Sequence, residues 1–326
     1  MAMSGRSQQA VWGAFLVSVL VLALFLFHPD ALAALTVFPT ECWLLAGILG
    51  QWTLLRHRCR PGWILTSGIW TLFALVCVEA SSSFPRTLFR PVASSGFPER
   101  LRIATLNCSG ESQALSDILP HRPDLILIQE SPGRGALTAW ARVLFGDEAA
   151  VVSGRDCAIL ARGSLQTLPE QREGTAVHAL WELPDGRILQ VTSLRLTTPP
   201  VRFDFWTPGF WKEFWRTRRR QRQELLAIRQ QGTSQAALCP VILGGDFNSP
   251  AGDAIDEVLT DVSLSDCFRR AGRGWGKTIT SAFPFHRIDR VFVSAGLQVL
   301  DCRAFATQHT DHRLEMCEIV LPATEK

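Results

Sequence analysis

Polar residues of a few types gather where short apolar runs end in the second two-thirds of the chain. Asn107 closes the run 101–106, and Gln129-Glu130 closes 125–128. Asp246 and Asn248 follow Val241-Ile242-Leu243, Asp289 interrupts the apolar run 287–293, and Asp311-His312 precedes the run 316–320. A carboxylate buried at a strand end is costly unless it is paired or metal-bound. One such residue marks a turn or a cap; several together point to a shared site. Hard oxygen donors such as Glu130, Asp311 and Asn107 suit Mg²⁺ or Mn²⁺. An Asp beside a His orients the imidazole and raises its basicity.

Bringing these side chains together requires strands that end at one place. Apolar runs predict strands over 101–107, 125–129, 158–161, 176–182, 188–196, 241–244, 288–293 and 316–320. Helices are predicted over 112–119, 136–145, 214–230 and 253–259. Pro184-Asp185-Gly186 predicts a tight turn between two strands. Strands dominate and helices are interspersed, so residues 101–326 read as α+β, with helices outside a paired sheet core.

Five motifs stand in order: Ala104-Thr105-Leu106-Asn107, Ile128-Gln129-Glu130, Gly244-Gly245-Asp246-Phe247-Asn248-Ser249-Pro250, Arg287-Ile288-Asp289-Arg290-Val291-Phe292-Val293-Ser294 and Thr310-Asp311-His312-Arg313. Together they resemble the successive motifs of the endonuclease/exonuclease/phosphatase superfamily, over roughly residues 100–322. That group includes deoxyribonuclease-like nucleases, abasic-site endonucleases, inositol-phosphate 5-phosphatases and neutral sphingomyelinases. The resemblance implies a four-layered α/β sandwich, two packed β-sheets flanked by helices, with the site at one end of the sheets. It implies that Glu130 holds a divalent cation, Mg²⁺ or Mn²⁺, with Asn107 and Asp311 close to it. By the same resemblance Asp246 aligns or deprotonates the attacking water, and Asn248 hydrogen-bonds the scissile phosphate. His312, held by Asp289, contacts the phosphate and stabilises charge as the leaving oxygen departs. The physical chemistry agrees, since a cation and fixed donors both oppose the charge that repels a nucleophile from a phosphate ester.

Two positions depart from that pattern. Many members carry a His in a His-Leu pair where this chain has Arg195 in Leu194-Arg195-Leu196. Arg cannot exchange a proton near neutral pH but can grip a phosphate with two parallel hydrogen bonds, so Arg195 is expected to bind substrate; the alternative is a strand-end surface Arg in a domain that has lost some activity. Ser109 stands where the abasic-site endonucleases have an acid. His178, in an apolar run, reads as a core histidine.

The 326-residue chain is 47% hydrophobic and 19% charged, against roughly 25% charged in an average soluble domain. This excludes a disordered chain, and the apolar surplus lies at the start. Three stretches, about 11–27, 35–55 and 63–79, approach the length of a membrane span. The first alone also fits a signal peptide ending near Ala31-Leu32-Ala33; the two that follow favour an anchor. Arg6 and the loop with Arg56, Arg58 and Arg60 outnumber Arg86 and Arg90, which places that loop in the cytoplasm. Residues 1–80 are thus expected to be a transmembrane helical region and 81–100 a Ser/Pro-rich linker. The domain 101–326 then lies on the extracytoplasmic side, periplasmic or extracellular, of a multi-pass protein of the cell membrane.

The net charge of +3 comes from 33 basic and 30 acidic residues. Residues 1–100 hold seven Arg and four acids, which is the whole excess. The balanced remainder disfavours a protein that coats nucleic acid. Nine Cys show no CxxC spacing, so no structural zinc is expected, and spacing reveals no disulfide pairing. Residues 199–215 hold four Phe and three Trp, followed by Arg216, Arg218, Arg219, Arg220 and Arg222. Such a segment suits a water–lipid interface, stacking on nucleotide bases, or a hydrophobic loop folded onto its own domain.

The expectation from sequence is a membrane-anchored, divalent-metal-dependent phosphoesterase. Its substrate is a phosphate ester or diester, a phospholipid headgroup or a nucleic acid, and the bilayer is its partner. The alternatives are a non-specific endonuclease or exonuclease and a catalytically weak module that binds phosphorylated ligands. No protein partner is expected.

Overall fold

The computed structural model describes residues 5–56, 60–88, 100–168, 175–233 and 239–321. Its helices are α1 (Gly5–Phe27), α2 (Ala33–Thr36), α3 (Thr40–Arg56), α4 (Arg60–Cys77), α5 (Ala80–Leu88), α6 (Arg134–Phe145), α7 (Pro208–Thr233), α8 (Glu257–Thr260) and α9 (Cys267–Ala271). Its strands are β1 (Arg100–Asn107), β2 (Leu125–Gln129), β3 (Ala149–Ser153), β4 (Cys157–Arg162), β5 (Ser164–Thr167), β6 (Ala176–Glu182), β7 (Ile188–Arg195), β8 (Val241–Asp246), β9 (Leu264–Asp266), β10 (Asp289–Ser294), β11 (Gln298–Phe305) and β12 (Leu314–Val320). The chain divides into two compact units, residues 1–82 with 200–216, and 83–199 with 217–326.

In the first unit α1, α3 and α4 pack together. Val21, Leu24, Phe25, Phe73 and Val78 form its buried centre, where the Phe73 ring meets Phe25 and Trp70 edge-on, each at 5.4 Å. Both ends of the Gln51 amide are satisfied across the α3–α4 seam, donating to Thr66 Oγ1 (2.8 Å) and accepting from Ser67 Oγ (3.0 Å). Trp70 Nε1 donates to Ser18 Oγ (2.9 Å), tying α4 to α1. Gly47 leaves room for the Trp70 ring, which a Cβ there would strike. The opposite faces are apolar and open: Leu16, Leu20, Leu45, Ile48, Leu49, Ile64, Leu65 and Leu75 are each more than half exposed.

No single helix among the described residues is long and apolar enough to cross a membrane. Two bent pairs pass that test of length and composition together, 11–27 with 30–36 and 61–77 with 80–88. The apolar stretch expected over 35–55 is broken, because Pro39 cannot donate to a helix ladder; α2 ends at Thr36 and α3 starts at Thr40. The expected linker 81–100 is described only in part. Residues 80–88 are helical with Pro85 inside, and 89–99, with Arg90, lie outside the described residues, as does Arg58.

The second unit is a sandwich of two six-stranded mixed sheets, β11-β12-β1-β2-β4-β3 and β5-β6-β7-β8-β10-β9. Period-2 alternation builds its layers. Ile103, Leu125, Leu127 and Ile159 face Val177, Ala179, Val191, Ile242 and Val291 between the sheets. Ala104, Leu106, Ile126 and Ile128 face outward, under α6 and the 3₁₀ turn 112–121. On the far side Leu194, Leu243 and Phe292 pack against Leu225 and Ile228 of α7 and Val258 and Leu259 of α8. The expected four-layered arrangement of helix, sheet, sheet and helix is therefore present.

Candidate active site

Strand register gathers the polar positions at one end of the two sheets. The parallel pair β1–β2 sets Asn107 opposite Gln129, so Glu130 follows at the same edge. In the other sheet the parallel pair β7–β8 sets Arg195 opposite Asp246, and the antiparallel pair β8–β10 sets Asp246 opposite Asp289. The sheets are stitched by polar contacts near that edge: Gln129 Nε2 donates to Ser193 Oγ (3.0 Å), and Ser193 Oγ to the Ile128 carbonyl (2.9 Å).

The side chains form one connected network. Asn107 Nδ2 donates to Glu130 Oε1 (2.9 Å) and to Asp246 Oδ2 (3.1 Å). Asn248 Nδ2 donates to the same Asp246 oxygen (3.0 Å) and to the Leu196 carbonyl (2.9 Å). The Asn248 amide N–H donates to Asp246 Oδ1 (2.9 Å). His312 Nδ1 meets Asp289 Oδ2 at 2.8 Å. One ligand atom from each of Asp246, Asp289 and His312 lies within 4.8 Å of the others, and all three residues are buried. Asp311 joins from the rim, its Oδ1 accepting from Ser109 Oγ (2.7 Å), while the Ser109 N–H donates to Asn107 Oδ1 (2.9 Å).

Arg195 lies inside this network. Its Nη2 is 2.8 Å from Glu130 Oε1, its Nη1 3.1 Å from Asp156 Oδ2, and its Nε 3.9 Å from Asp246 Oδ2. Burial works against its charge, but the carboxylates of Asp156, Glu130 and Asp246 outweigh it and raise its pKa. Asp246 is raised from its ordinary value to about 7, by burial first and then by the charge of Asp289. Burial would lower His312, yet Asp289, by charge and hydrogen bond, with Asp246 and Asp311, lifts it to about 9.

The backbone is held out of its ordinary regions here. Ser109, Glu130 and Asn248 have φ of +49°, +43° and +50°, a left-handed conformation that L side chains adopt at a cost and that clusters at functional sites. Gly245 has φ +145°, and a Cβ on it would collide with the Leu194 carbonyl. Arg290 props the loop that follows, donating to the Pro250 carbonyl (2.8 Å) and Ser249 Oγ (2.9 Å) with its guanidinium 4.2 Å from the Phe247 ring centre.

A divalent cation fits this chemistry. Glu130, Asp246, Asp289, Asp311 and Asp156 bring five carboxylates against the positive charges of Arg195 and His312, all with hard oxygen donors. Asp289 Oδ1 is buried without a hydrogen-bond partner. The tightest grouping at the site, Asp246, Asp289 and His312, differs from the trio Glu130, Asn107 and Asp311 expected from sequence. In that trio Glu130 is engaged by Arg195, and Asp311 by Ser109.

Sequence reasoning passed over several supports. Asp156 sits in the turn between β3 and β4 and meets Arg195 only through the fold. Thr278 Oγ1 accepts from the backbone N–H of both Ile288 and Asp289 (3.1 Å each). Gln221 of α7 donates to the Asn248 (2.9 Å) and Thr197 (2.7 Å) carbonyls. His178 is a core residue as expected: buried, 2.9 Å from Thr192 Oγ1, and pushed down by that burial to about 4.

Residues 104–312 match the model of the Endonuclease/Exonuclease/phosphatase family. No curated protein matches the chain. Solved structures share the fold at low identity. An endonuclease/exonuclease/phosphatase family protein from Bacteroides thetaiotaomicron is 14% identical (TM-score 0.54), the alignment covering 69% of this chain and 99% of that one. Its counterpart from Bacteroides vulgatus is 17% identical (TM-score 0.54), covering 69% and 100%. A mannosyl-6-phosphatase from Bacteroides thetaiotaomicron is 14% identical (TM-score 0.53), covering 68% and 100%.

Proposed function

The chain belongs to the endonuclease/exonuclease/phosphatase family, and from that membership we propose that it is a divalent-metal-dependent hydrolase of phosphate esters or diesters, anchored in the cell membrane with its catalytic domain on the extracytoplasmic side. The observation that carries the hydrolytic reading is the convergence of Asp246, Asp289 and His312 beside Glu130 and Asn107. Neighbours of the same fold include one named for a phosphatase activity, which keeps phosphomonoesters among the substrates.

Each residue has a task that its surroundings support. Asp246, with its pKa lifted by burial, is suited to align and deprotonate a water near neutral pH. Asn107 and Asn248 fix both of its oxygens by hydrogen bonds, and Asn248 turns an N–H to a phosphoryl oxygen when a substrate competes with the Leu196 carbonyl for it. His312, kept protonated by Asp289, meets charge growing on the leaving oxygen. Arg195 grips a phosphate oxygen when a substrate competes with Glu130 and Asp156 for its N–H groups. Glu130, Asn107 and Asp311 would hold Mg²⁺ or Mn²⁺, which would supply polarisation of the phosphoryl oxygens and a lowered pKa for a bound water.

Membrane anchoring is supported by the apolar outer faces of α1, α3 and α4 and by the Gln51–Thr66–Ser67 seam, the kind of polar link that joins helices in lipid. The side of the membrane rests on the Arg distribution of the loops.

The ion pair of Arg195 with Glu130 favours a second reading, a weakly active module that binds phosphorylated ligands. One experiment separates the two. The full chain in detergent is assayed with Mg²⁺ on plasmid DNA, mixed phospholipids and soluble phosphate esters, with Asp246→Ala as control. Turnover that EDTA and Asp246→Ala both abolish supports the hydrolase and selects the substrate class. Ligand binding that survives EDTA, without turnover on any class, supports the module.

A further inference from the structure

The sandwich holds a second cluster of reactive side chains away from the site. Cys302 of β11 and Cys317 of β12 are opposed in the antiparallel register, and their Sγ atoms lie 3.0 Å apart. Both residues are buried. A third buried thiol, Cys267 at the start of α9, interacts with Cys317 and helps raise its pKa. Glu315 lies beside them, its Oε1 accepting from the Val291 N–H at 3.0 Å.

Two chemistries suit such a cluster, a metal ion or a disulfide, and the sulfur–sulfur distance separates them. Two thiolates on one tetrahedral zinc, each at about 2.3 Å, are held roughly 3.8 Å apart. A separation of 3.0 Å is too close for a shared ion. It suits partners whose sulfurs bond at about 2.0 Å after a small rotation. Directly opposed residues on antiparallel strands have Cα atoms about 4.5–5.5 Å apart, inside the range that a disulfide spans. Cys267 has no such register with either partner.

We propose that Cys302 and Cys317 form a disulfide that closes a covalent loop around Thr310, Asp311 and His312. Two S–H bonds break and one Sγ–Sγ bond forms. The two electrons and two protons pass to a disulfide oxidant, a small molecule such as oxidised glutathione or a disulfide-bearing oxidoreductase, which leaves as two thiols. In the folded chain burial holds both thiols well above their ordinary pKa, so reactive thiolate is scarce. The bond therefore forms while the chain folds. The crosslink fastens the edge strand β11 to β12 a few residues after His312, on the segment that carries two residues of the site. The inference stands apart from the hydrolase reading and needs no particular substrate.

The test uses the full chain synthesised cell-free into liposomes of zwitterionic phospholipid, in a buffer of oxidised and reduced glutathione. The product is unfolded in acid, its free thiols are blocked with N-ethylmaleimide, and its peptides are mapped without reduction. The expected result is a linked peptide pair carrying Cys302 and Cys317, with Cys108 and Cys157 blocked by maleimide. Maleimide on both Cys302 and Cys317, a link through Cys267 instead, or one zinc per chain with these thiols free would each overturn the proposal. Chain made with oxidised glutathione is also expected to melt higher than chain made without it. That difference should vanish in Cys302→Ser/Cys317→Ser, and its persistence there would assign the effect to another pair.

Discussion

Arg195 and Glu130 form an ion pair of 2.8 Å at the ends of two strands in different sheets, β7 and β2. The pair sets a cation against the carboxylate expected to ligate a metal. A half-buried guanidinium that Asp156 also holds cannot leave without stranding two carboxylates. In the proposed hydrolase it would both compete with the metal and receive a phosphate.

The first prediction separates those two effects. In Arg195→Ala the competing charge is gone, so the Mg²⁺ concentration for half-maximal activity should fall by up to about tenfold, roughly 1.4 kcal/mol. Loss of the phosphate grip should raise KM by a similar factor. Both are read from one matrix of rates against substrate and Mg²⁺. If neither constant moves, Arg195 is a structural ion pair and nothing more.

Asp289 is joined to His312 at 2.8 Å, and in the proposed mechanism it acts through that imidazole. Asp289→Asn keeps the shape but removes the charge that holds the imidazole protonated, and kcat should drop on the order of 10²-fold, the range of a positioned proton donor. His312→Ala should lose at least as much. The double variant should lose no more than His312→Ala alone, because the two residues act as a unit. Additive losses in this cycle would give Asp289 a separate task, such as binding the metal directly.

Much of this site was readable from sequence because its residues are polar interruptions of apolar runs, and such interruptions are costly without a partner. Asn107, Glu130, Asp246, Asn248, Asp289 and His312 stand out for that reason, and strand register brings them together. Asp156 carried no such signal, since a carboxylate in a turn is ordinary and its meeting with Arg195 exists only after β4 and β7 are placed. The strands Ala149–Ser153, Ser164–Thr167, Leu264–Asp266 and Gln298–Phe305 were missed for a related reason. All four are edge strands; the first three are runs of five, four and three residues, and the last mixes Asp301 and Arg303 into its sequence. Edge strands need not read as apolar runs, because one side of their ladder faces solvent. Helix 80–88 escaped notice because Ser and Pro dominate it.

The aromatic segment, which runs into the first turns of α7, belongs from Pro200 on to the same compact unit as the apolar helices. Phe210 and Phe214 bury against Ala33 and Ala34, with Trp211 and Val37 alongside. Val201, Phe203, Phe205 and Trp206 remain between 63% and 85% exposed. Half the segment is therefore a folded anchor and half an open apolar surface, as a loop that enters the lipid interface requires. In Phe203→Ser/Trp206→Ser the chain should keep its fold, while fluorescence of the remaining Trp residues in liposomes should lose the component quenched by brominated lipid at headgroup depth. Unchanged quenching would place this loop in water.

Glu315 supplies the clearest pH test, because its carboxyl is fully buried and lies outside the site. Burial, with Asp266 and Asp289 nearby, raises it from 4.5 to about 8 even though Arg287 pulls the other way. Arg287 is already committed to Asp266, with contacts of 3.2 and 2.6 Å, and stands 3.8 Å from Glu315. The native state thus binds a proton at neutral pH that the unfolded chain has released. The associated stability is fully present below about pH 4.5 and is lost as pH rises through about 8. Glu315→Gln keeps the shape and the acceptor for the Val291 N–H but cannot ionise. Its melting midpoint should match the parent at pH 5 and exceed it at pH 9 by more than about 3 °C, on the order of 1 kcal/mol for a domain of this size. A variant less stable than the parent at pH 9 would mean that ionised Glu315 pairs productively with Arg287, and that the buried cluster of Arg287, Asp266 and Glu315 is held by charge rather than by a neutral carboxyl.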